Sequence, residues 1–354
     1  MPVQCLSICP APIGDLLFWL QYNMAVSTAP MTPELADAAI RTRMTPLAIE
    51  SRPLWQCVGA TLREDVRAGG DSPPSDRVAV DGIAVSSEHR GSDGAAGALI
   101  LKAGTLLRPP EIAVAASVGR ARLQVGRQPS FMIISTGDEL IEPGEPIAEH
   151  QVRRSNAYGV MAALRARGFA RIGDDHLPDD ESLLHERLLL HLTTHDVVIL
   201  SGGVSMGKFD LVPKVLMQLG VQQVFHKVAQ RPGKPMWFGI GLRGQAVFGL
   251  PGNPVSTLVC LLRYVIPAIA AAMGTAPVPA ERVALAAAVS FDLALTYFLP
   301  VAVEHDQWGR PWAQPRPTNG SGDFVSLIST DGFLELPPGP ATYPQGHVAR
   351  LYRW

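Results

Sequence analysis

Cysteine is scarce in this chain of 354 residues, which has four: Cys5, Cys9, Cys57 and Cys260. Four scattered thiols do not make a disulfide scaffold, so a reducing cytoplasm is the expected setting. Cys5 and Cys9 form a lone C-x₃-C pair, read as incidental because a structural zinc needs four ligands. Excess charge is also lacking, with 30 Lys and Arg against 32 Asp and Glu and a net charge of −2. That balance argues against a protein that coats nucleic acid, while leaving room for a local basic patch. At the amino terminus the apolar run Leu16-Leu17-Phe18-Trp19-Leu20 is bounded by Asp15 and Gln21. It is far below the roughly 20 residues of a membrane span. No basic residue precedes it, as a secretory signal would require. Residues 1–30 are therefore expected to be a tail, with Met24 and Met31 as alternative starts. Walker A, H-E-x-x-H and zinc spacings are missing as well.

What is present is apolar and turn-forming material. Hydrophobic residues make up 47% and charged residues 18%, which excludes a disordered chain. Thirty-three Gly and 31 Pro call for frequent alternation of elements and loops. The length predicts two or three domains.

Met31-Thr32-Pro33 reads as a helix start, with Thr32 as cap and Leu35, Ala38, Ala39 and Ile40 as the apolar stripe. Ser72-Pro73-Pro74-Ser75-Asp76 is a rigid turn, followed by Val78 and Val80 in alternation and an Asp81-Gly82 turn. Residues 86–99 are polar and Gly-rich, a loop or short linker. From about 125 to 275 short apolar runs alternate with helical patterns. The runs are Phe131–Ile134, Asp196–Leu200 and Ala246–Phe248. The helical patterns are 156–168, closed by Gly168, the stretch from Leu211 to Leu219, and a long apolar helix ending near 272. Buried strands alternating with helices predict an α/β region with a three-layer parallel sheet. After about 276, strand-like runs such as Phe333-Leu334-Glu335-Leu336 predict a small C-terminal β domain. The expected division is a tail (1–30), a helical and extended N-terminal domain (31–124), the α/β domain (125–275) and the β domain (276–354).

Ligands of open α/β sheets bind where strands end and loops begin. Ser201-Gly202-Gly203-Val204-Ser205-Met206-Gly207-Lys208-Phe209-Asp210 is the strongest such end. Its glycines let backbone N–H groups approach an anion, and Ser201 and Ser205 can donate to phosphate oxygens. Asp210 is either a Mg²⁺ ligand or the cap of the next helix. In Ser135-Thr136-Gly137-Asp138-Glu139, ligand holding and helix capping are equally open readings. Pro251-Gly252-Asn253-Pro254 is either a rigid pocket wall or a plain helix start. Arg231-Pro232-Gly233-Lys234-Pro235 presents two cations on a stiff turn, suited to an oxyanion or merely exposed.

Two textual matches point elsewhere. Gly203-Val204-Ser205-Met206-Gly207 has the form of a hydrolase elbow, but its partners among nine histidines are only nominal. Gly239-Ile240-Gly241-Leu242-Arg243-Gly244 has the dinucleotide spacing, yet a strand-like run follows where that fingerprint needs a helix. It reads as a hairpin turn.

Taken in order, Asp81-Gly82-Ile83-Ala84, Ala103-Gly104-Thr105, Ser135–Leu140, Ser201–Gly207, Pro232–Pro235, Gly249–Ser256 and Gly320-Ser321-Gly322-Asp323 resemble the MoeA/gephyrin E-domain family of molybdopterin molybdenumtransferases. The resemblance implies insertion of molybdenum from molybdate into adenylylated molybdopterin, with Mg²⁺, in a cytoplasmic homodimer that meets other cofactor-assembly proteins or molybdoenzymes, without nucleic acid or membrane. It assigns Asp81 and Asp210 to metal handling and AMP release, and Lys234 to molybdate. Ser201, Gly202, Gly203 and Ser205 fall on the phosphate side, and Pro251 and Pro254 at the molybdate pocket. The chain departs from the family pattern in one stretch. Only Ile83 to Lys102 separates the Asp-Gly and Ala-Gly-Thr motifs, where the family carries a separate β domain with a Gly-Glu-Asp-Ile-type motif. Val80 and Ile83 stand at the family's Met and Tyr. A shortened member of this kind is expected either as a transferase with a reduced site or as a non-catalytic molybdopterin carrier.

Overall fold

The computed structural model describes residues 30–71, 95–204 and 211–354, and the backbone alone of 78–80 and 83–84. Asp81, Ser205 and Asp210 lie outside the described residues, as do the Ser72–Asp76 turn and the tail.

The first helix, α1 (Pro33–Arg43), starts as its sequence dictates. The Thr32 hydroxyl accepts from the Leu35 N–H, Pro33 sits in the first turn, and Arg41 and Arg43 stand at the negative end. Its buried stripe is Pro33, Ala36 and Ile40, whereas Leu35 is 59% exposed. Of the expected stripe, Ile40 is buried and Ala39 packs partly against the core, while Leu35 and Ala38 are exposed because Ala36 and Ile40, four apart, face the sheet. Strand β1 (Ile49–Pro53) follows, then α2 (Pro109–Ser117) and β2 (Arg122–Gly126), which pairs antiparallel with β1.

The central region runs β3 (Phe131–Thr136), α3 (Ser155–Arg165), β4 (Ile172–Leu177), α4 (Glu181–Thr194), β5 (Val197–Ser201), α5 (Leu211–Gln218), β6 (Gln222–His226), β7 (Trp237–Ile240) and β8 (Ala246–Leu250). Its sheet has the order β4-β3-β5-β8-β7-β6. Alternation along each strand sends side chains to two faces. Phe131, Ile133, Ile199 and Phe248 pack with α1, α3 and the long helix after β8; Met132, Ile134, Val198, Leu200 and Val247 pack with α4 and α5. Three layers result, as expected. The sheet is not parallel throughout, however. β4, β3, β5 and β8 are parallel, but β7 runs antiparallel to both β8 and β6. The cause is the tight Gly241–Gly244 turn joining β7 to β8, the hairpin anticipated for the G-x-G-x-x-G match.

After β8 comes a continuous helical rod, Pro254–Ala272, with mean hydropathy 1.9. It is long and apolar enough to cross a membrane, yet 72% of it is buried inside the protein, as a core helix. It consists of α6 (Pro254–Cys260), a π turn (Leu261–Val265) and α7 (Ile266–Ala272). Pro267 has no N–H to give the carbonyl four residues back, and the widened turn, with Ile266 N–H bonded to Leu261 O, accommodates it. The C-terminal strands β9 (Arg282–Leu285), β10 (Thr296–His305), β11 (Pro311–Pro315), β12 (Gly332–Leu336) and β13 (Val348–Arg353) close on themselves, since β12 pairs with both β13 and β10. The result is a small barrel, extended by the strand Gln230–Arg231 along β10.

Candidate functional site

Parallel register puts three strand ends at one edge. Ser201 of β5 lies opposite Ser135 of β3 on one side and Leu250 of β8 on the other. The loops 136–139, 201–203 and 251–253 therefore converge in a crevice outside the carboxyl ends of the strands. Gly202 and Gly203 turn in the left-handed region, with φ of 97° and 63°. A Cβ on Gly202 would stand 2.8 Å from the Thr136 carbonyl oxygen, and one on Gly203 2.7 Å from Thr136 Oγ1. Only glycine fits both the backbone and the space. Gly252 faces Gly202 from the next loop, its Cβ position 3.6 Å from the Gly202 Cα. The amino ends of α3 and of the Pro254 rod both open toward this edge, which adds the positive ends of two helices.

Hydrogen bonds sort the expected residues into groups that face the crevice and groups that support it. The Ser135 hydroxyl accepts from the buried Arg154, whose guanidinium also pairs with Glu142 and Asp174. Asp138 accepts from the Asp179 N–H at 3.1 Å. The Glu139 carboxylate folds back over Gly137, whose φ is 134°. The Pro251 carbonyl accepts from the Thr257 hydroxyl. Asn253 reaches the barrel, its amide donating to Ser321 Oγ at 2.5 Å, while Ser321 O takes the Val255 N–H. Thr136, 3% exposed, has an Oγ1 with no partner.

A residue that sequence reasoning passed over is Asn156, at the start of α3. Its amide donates to Ser201 Oγ (2.9 Å) and to Gly252 O (2.6 Å), tying two of the three loops together. Its local signal, an Asn opening the helical pattern at 156–168, is one that any helix start can carry.

Lys234 stands elsewhere, in a cavity of about 720 Å³ between the start of the rod and the barrel. Arg231, Lys234 and Ser256 line it, with Asp292 and the stacked pair Phe291 and Tyr297, whose ring centroids are 4.3 Å apart. Arg231 and Lys234 are both exposed and neither has a carboxylate partner among the described residues. Buried Gln230 braces their turn from below, taking the Tyr264 hydroxyl and giving to Pro232 O. Burial pushes the Tyr297 hydroxyl up, opposed by the nearby charge of Arg231. Crevice and cavity flank the start of the rod, since Gly252, two residues before it, borders one and Val255 and Ser256 the other.

Asp81 and Asp210, expected to hold Mg²⁺, lie outside the described residues, as does Ser205. Among the described residues no group of three His, Cys, Asp or Glu is placed to hold a metal ion.

Comparison with known proteins agrees with this layout. Residues 132–271 match the family described as probable molybdopterin binding domain, and residues 282–354 match the MoeA C-terminal region, domain IV. A molybdopterin molybdenumtransferase from Synechocystis is 42% identical over 266 residues, 75% of this chain and 66% of the relative. One from Haemophilus influenzae is 38% identical over 184 residues, 52% of this chain and 45% of the relative. The chain thus spans just under two thirds of the first relative's length and under half of the second's. Among solved structures, a molybdopterin biosynthesis MoeA protein from Pyrococcus horikoshii aligns over 92% of this chain and 99% of its own, with TM-score 0.75 and 23% identity. A molybdenum cofactor biosynthesis protein from Pyrococcus furiosus aligns over 92% of this chain and 100% of its own, with TM-score 0.69 and 22% identity. These two share the fold. With a molybdopterin-binding α/β region followed in order by the MoeA barrel, the chain belongs to the MoeA family.

Proposed function

We propose that this chain inserts molybdenum, supplied as molybdate, into adenylylated molybdopterin with release of AMP. The observation that carries the reading is the pairing of two adjoining sites with different chemistry. The glycine crevice suits a phosphate-bearing ligand, because glycines without side chains let an anion approach the backbone and two helix starts lend their positive ends. The neighbouring cavity offers Arg231 and Lys234, which have no carboxylate partner among the described residues, to a small oxyanion and a flat aromatic wall to a ring. In this reading Gly202, Gly203 and Ser201 hold the phosphates, while Lys234 and Arg231 hold molybdate. Ser205 extends the phosphate side, and Asp81 and Asp210 are the proposed Mg²⁺ ligands, an assignment carried by the sequence alone. Bound there, Mg²⁺ would neutralise phosphate charge as the anhydride to AMP is broken. A cytoplasmic homodimer that hands its product to molybdoenzymes or other assembly proteins completes the proposal.

A second reading rests on the length difference from the relatives: a carrier that binds the pterin without turnover. Purified protein incubated with adenylylated molybdopterin, Mg²⁺ and molybdate separates the two. Molybdate-dependent AMP release is expected, and Lys234→Ala is expected to weaken molybdate binding about tenfold or more. Pterin binding without AMP release under any molybdate concentration selects the carrier. No pterin binding removes both.

A further inference from the structure

We infer that Asn156 is a positioning residue of the crevice, setting Ser201 as a hydrogen-bond donor to the phosphate end of the pterin ligand; this rests on the function proposed above. Gly252 O can only accept, so the Asn156 side chain must turn its nitrogen toward that carbonyl. The same NH₂ group reaches Ser201 Oγ with its other hydrogen. A hydroxyl oxygen that already accepts from an amide keeps its own O–H to give away. Among the described residues no side chain takes that proton, and Asn156 is the one hydrogen-bond partner of Ser201 Oγ there. The Ser201 hydroxyl is thereby left as a donor beside Gly202, where the left-handed turn begins.

A neutral amide is the group that fits this task. A carboxylate at 156 would offer no hydrogen to either partner and would set a negative charge beside an anion cradle. A lysine would give charge without the planar fork. Asn156 Oδ1, forced to the opposite side by the Gly252 contact, is buried and has no partner, and neither has Thr136 Oγ1 in the same crevice. Buried polar atoms are rarely left in this state within a plain loop staple, and two of them at the meeting of three strand ends mark a binding crevice.

The test compares equilibrium binding of adenylylated molybdopterin and of molybdate by wild type, Asn156→Ala, Asn156→Asp, Ser201→Ala and the Asn156→Ala/Ser201→Ala double variant. Asn156→Ala is expected to weaken pterin binding about tenfold and to leave molybdate binding unchanged. Because Asn156 acts through Ser201, the double variant is expected to lose little more than either single one. Asn156→Asp is expected to bind the pterin worst near pH 8 and to recover as the pH falls toward about 5. The protonated carboxyl regains a donor there, and burial raises the pH at which it does so. Equal loss for both ligands, additive losses in the double variant, or a flat pH response of Asn156→Asp would overturn the inference. If Asn156→Ala does not fold, Asn156→Ser and Ser201→Ala carry the same comparison. Wild type that binds no pterin at all counts against the proposed function itself, before any variant is compared.

Discussion

At the scale of single residues, the crevice depends on places where a side chain is impossible. Gly203 has φ of 63°, and a Cβ there would meet Thr136 Oγ1 at 2.7 Å and Val212 Cγ2 at 2.8 Å. Gly203→Ala is therefore expected to cost about 1–3 kcal/mol in stability and to weaken pterin binding, both read from urea unfolding and a binding titration. Unchanged values would mean that the loop can leave Thr136 without penalty. The Ser-Gly-Gly run was legible in the sequence because glycine pairs after an apolar run announce a tight strand end. Asn156 was not, because the amide does its work on Ser201 and Gly252, 45 and 96 residues away, and no local pattern records a contact of that range. Ser135 shows the converse. Its motif left ligand holding and helix capping equally open, and no local pattern announced the bond that its hydroxyl accepts from Arg154, 19 residues away.

At the scale of elements, the strand ends are aligned at the far edge of the sheet as well as at the crevice. Asp196, just before β5, accepts from both Arg127 amino groups at 2.8 Å and from the Ser130 N–H and hydroxyl. Its own carbonyl takes the Ala246 N–H at the start of β8, and Ser130 O takes the Val197 N–H. One carboxylate thus sets where β3, β5 and β8 begin, and with them where all three end. The bonds from Arg127, and after them those from Ser130, hold the Asp196 carboxyl well below the usual carboxylate range despite partial burial. A group depressed in the folded state stabilises fully above its unfolded pKa, near 4, and that stability disappears as the pH falls through the folded value. Wild type is therefore expected to lose stability below about pH 4 more steeply than Asp196→Asn, which starts lower at neutral pH. Urea midpoints across that range check it, and parallel curves would refute it. Short apolar runs made these strands legible. The hairpin into β8 was also legible, from the strand-like run after Gly244, but the antiparallel pairing of β7 with β6 was not, because no run just before Gly239 stands out as a strand.

At the scale of the whole molecule, the rod Pro254–Ala272 is the piece that all the other parts share, and its π turn is where they meet. Arg263, with 6% of its side chain exposed, lies 3.0 Å from Glu335 of the barrel and 3.6 Å from Asp37 of α1. Its guanidinium also lies over the rings of Tyr264 and Tyr352, and the Tyr352 hydroxyl donates to the other Glu335 oxygen at 2.7 Å. Nothing local in the sequence marks the role of a cation inside an apolar rod; in the fold it is the join between the N-terminal helix, the α/β core and the barrel. Burying it costs desolvation that only well-placed partners offset, and removing it would leave the poorly solvated Glu335 carboxylate without that counter-charge, whereas Asp37 keeps Arg41 at 3.0 Å. Arg263→Met is expected to cost about 3–5 kcal/mol in urea unfolding. Adding Glu335→Gln is expected to recover part of that loss, because the stranded charge is gone while the bond from Tyr352 can remain. Since the cavity proposed for molybdate lies between the rod and the barrel, loosening this join is expected to weaken molybdate binding in Arg263→Met before it affects the crevice proposed for the pterin, which is built within the α/β core. A variant that loses neither stability nor molybdate affinity would show that apolar packing alone holds the barrel against the rod.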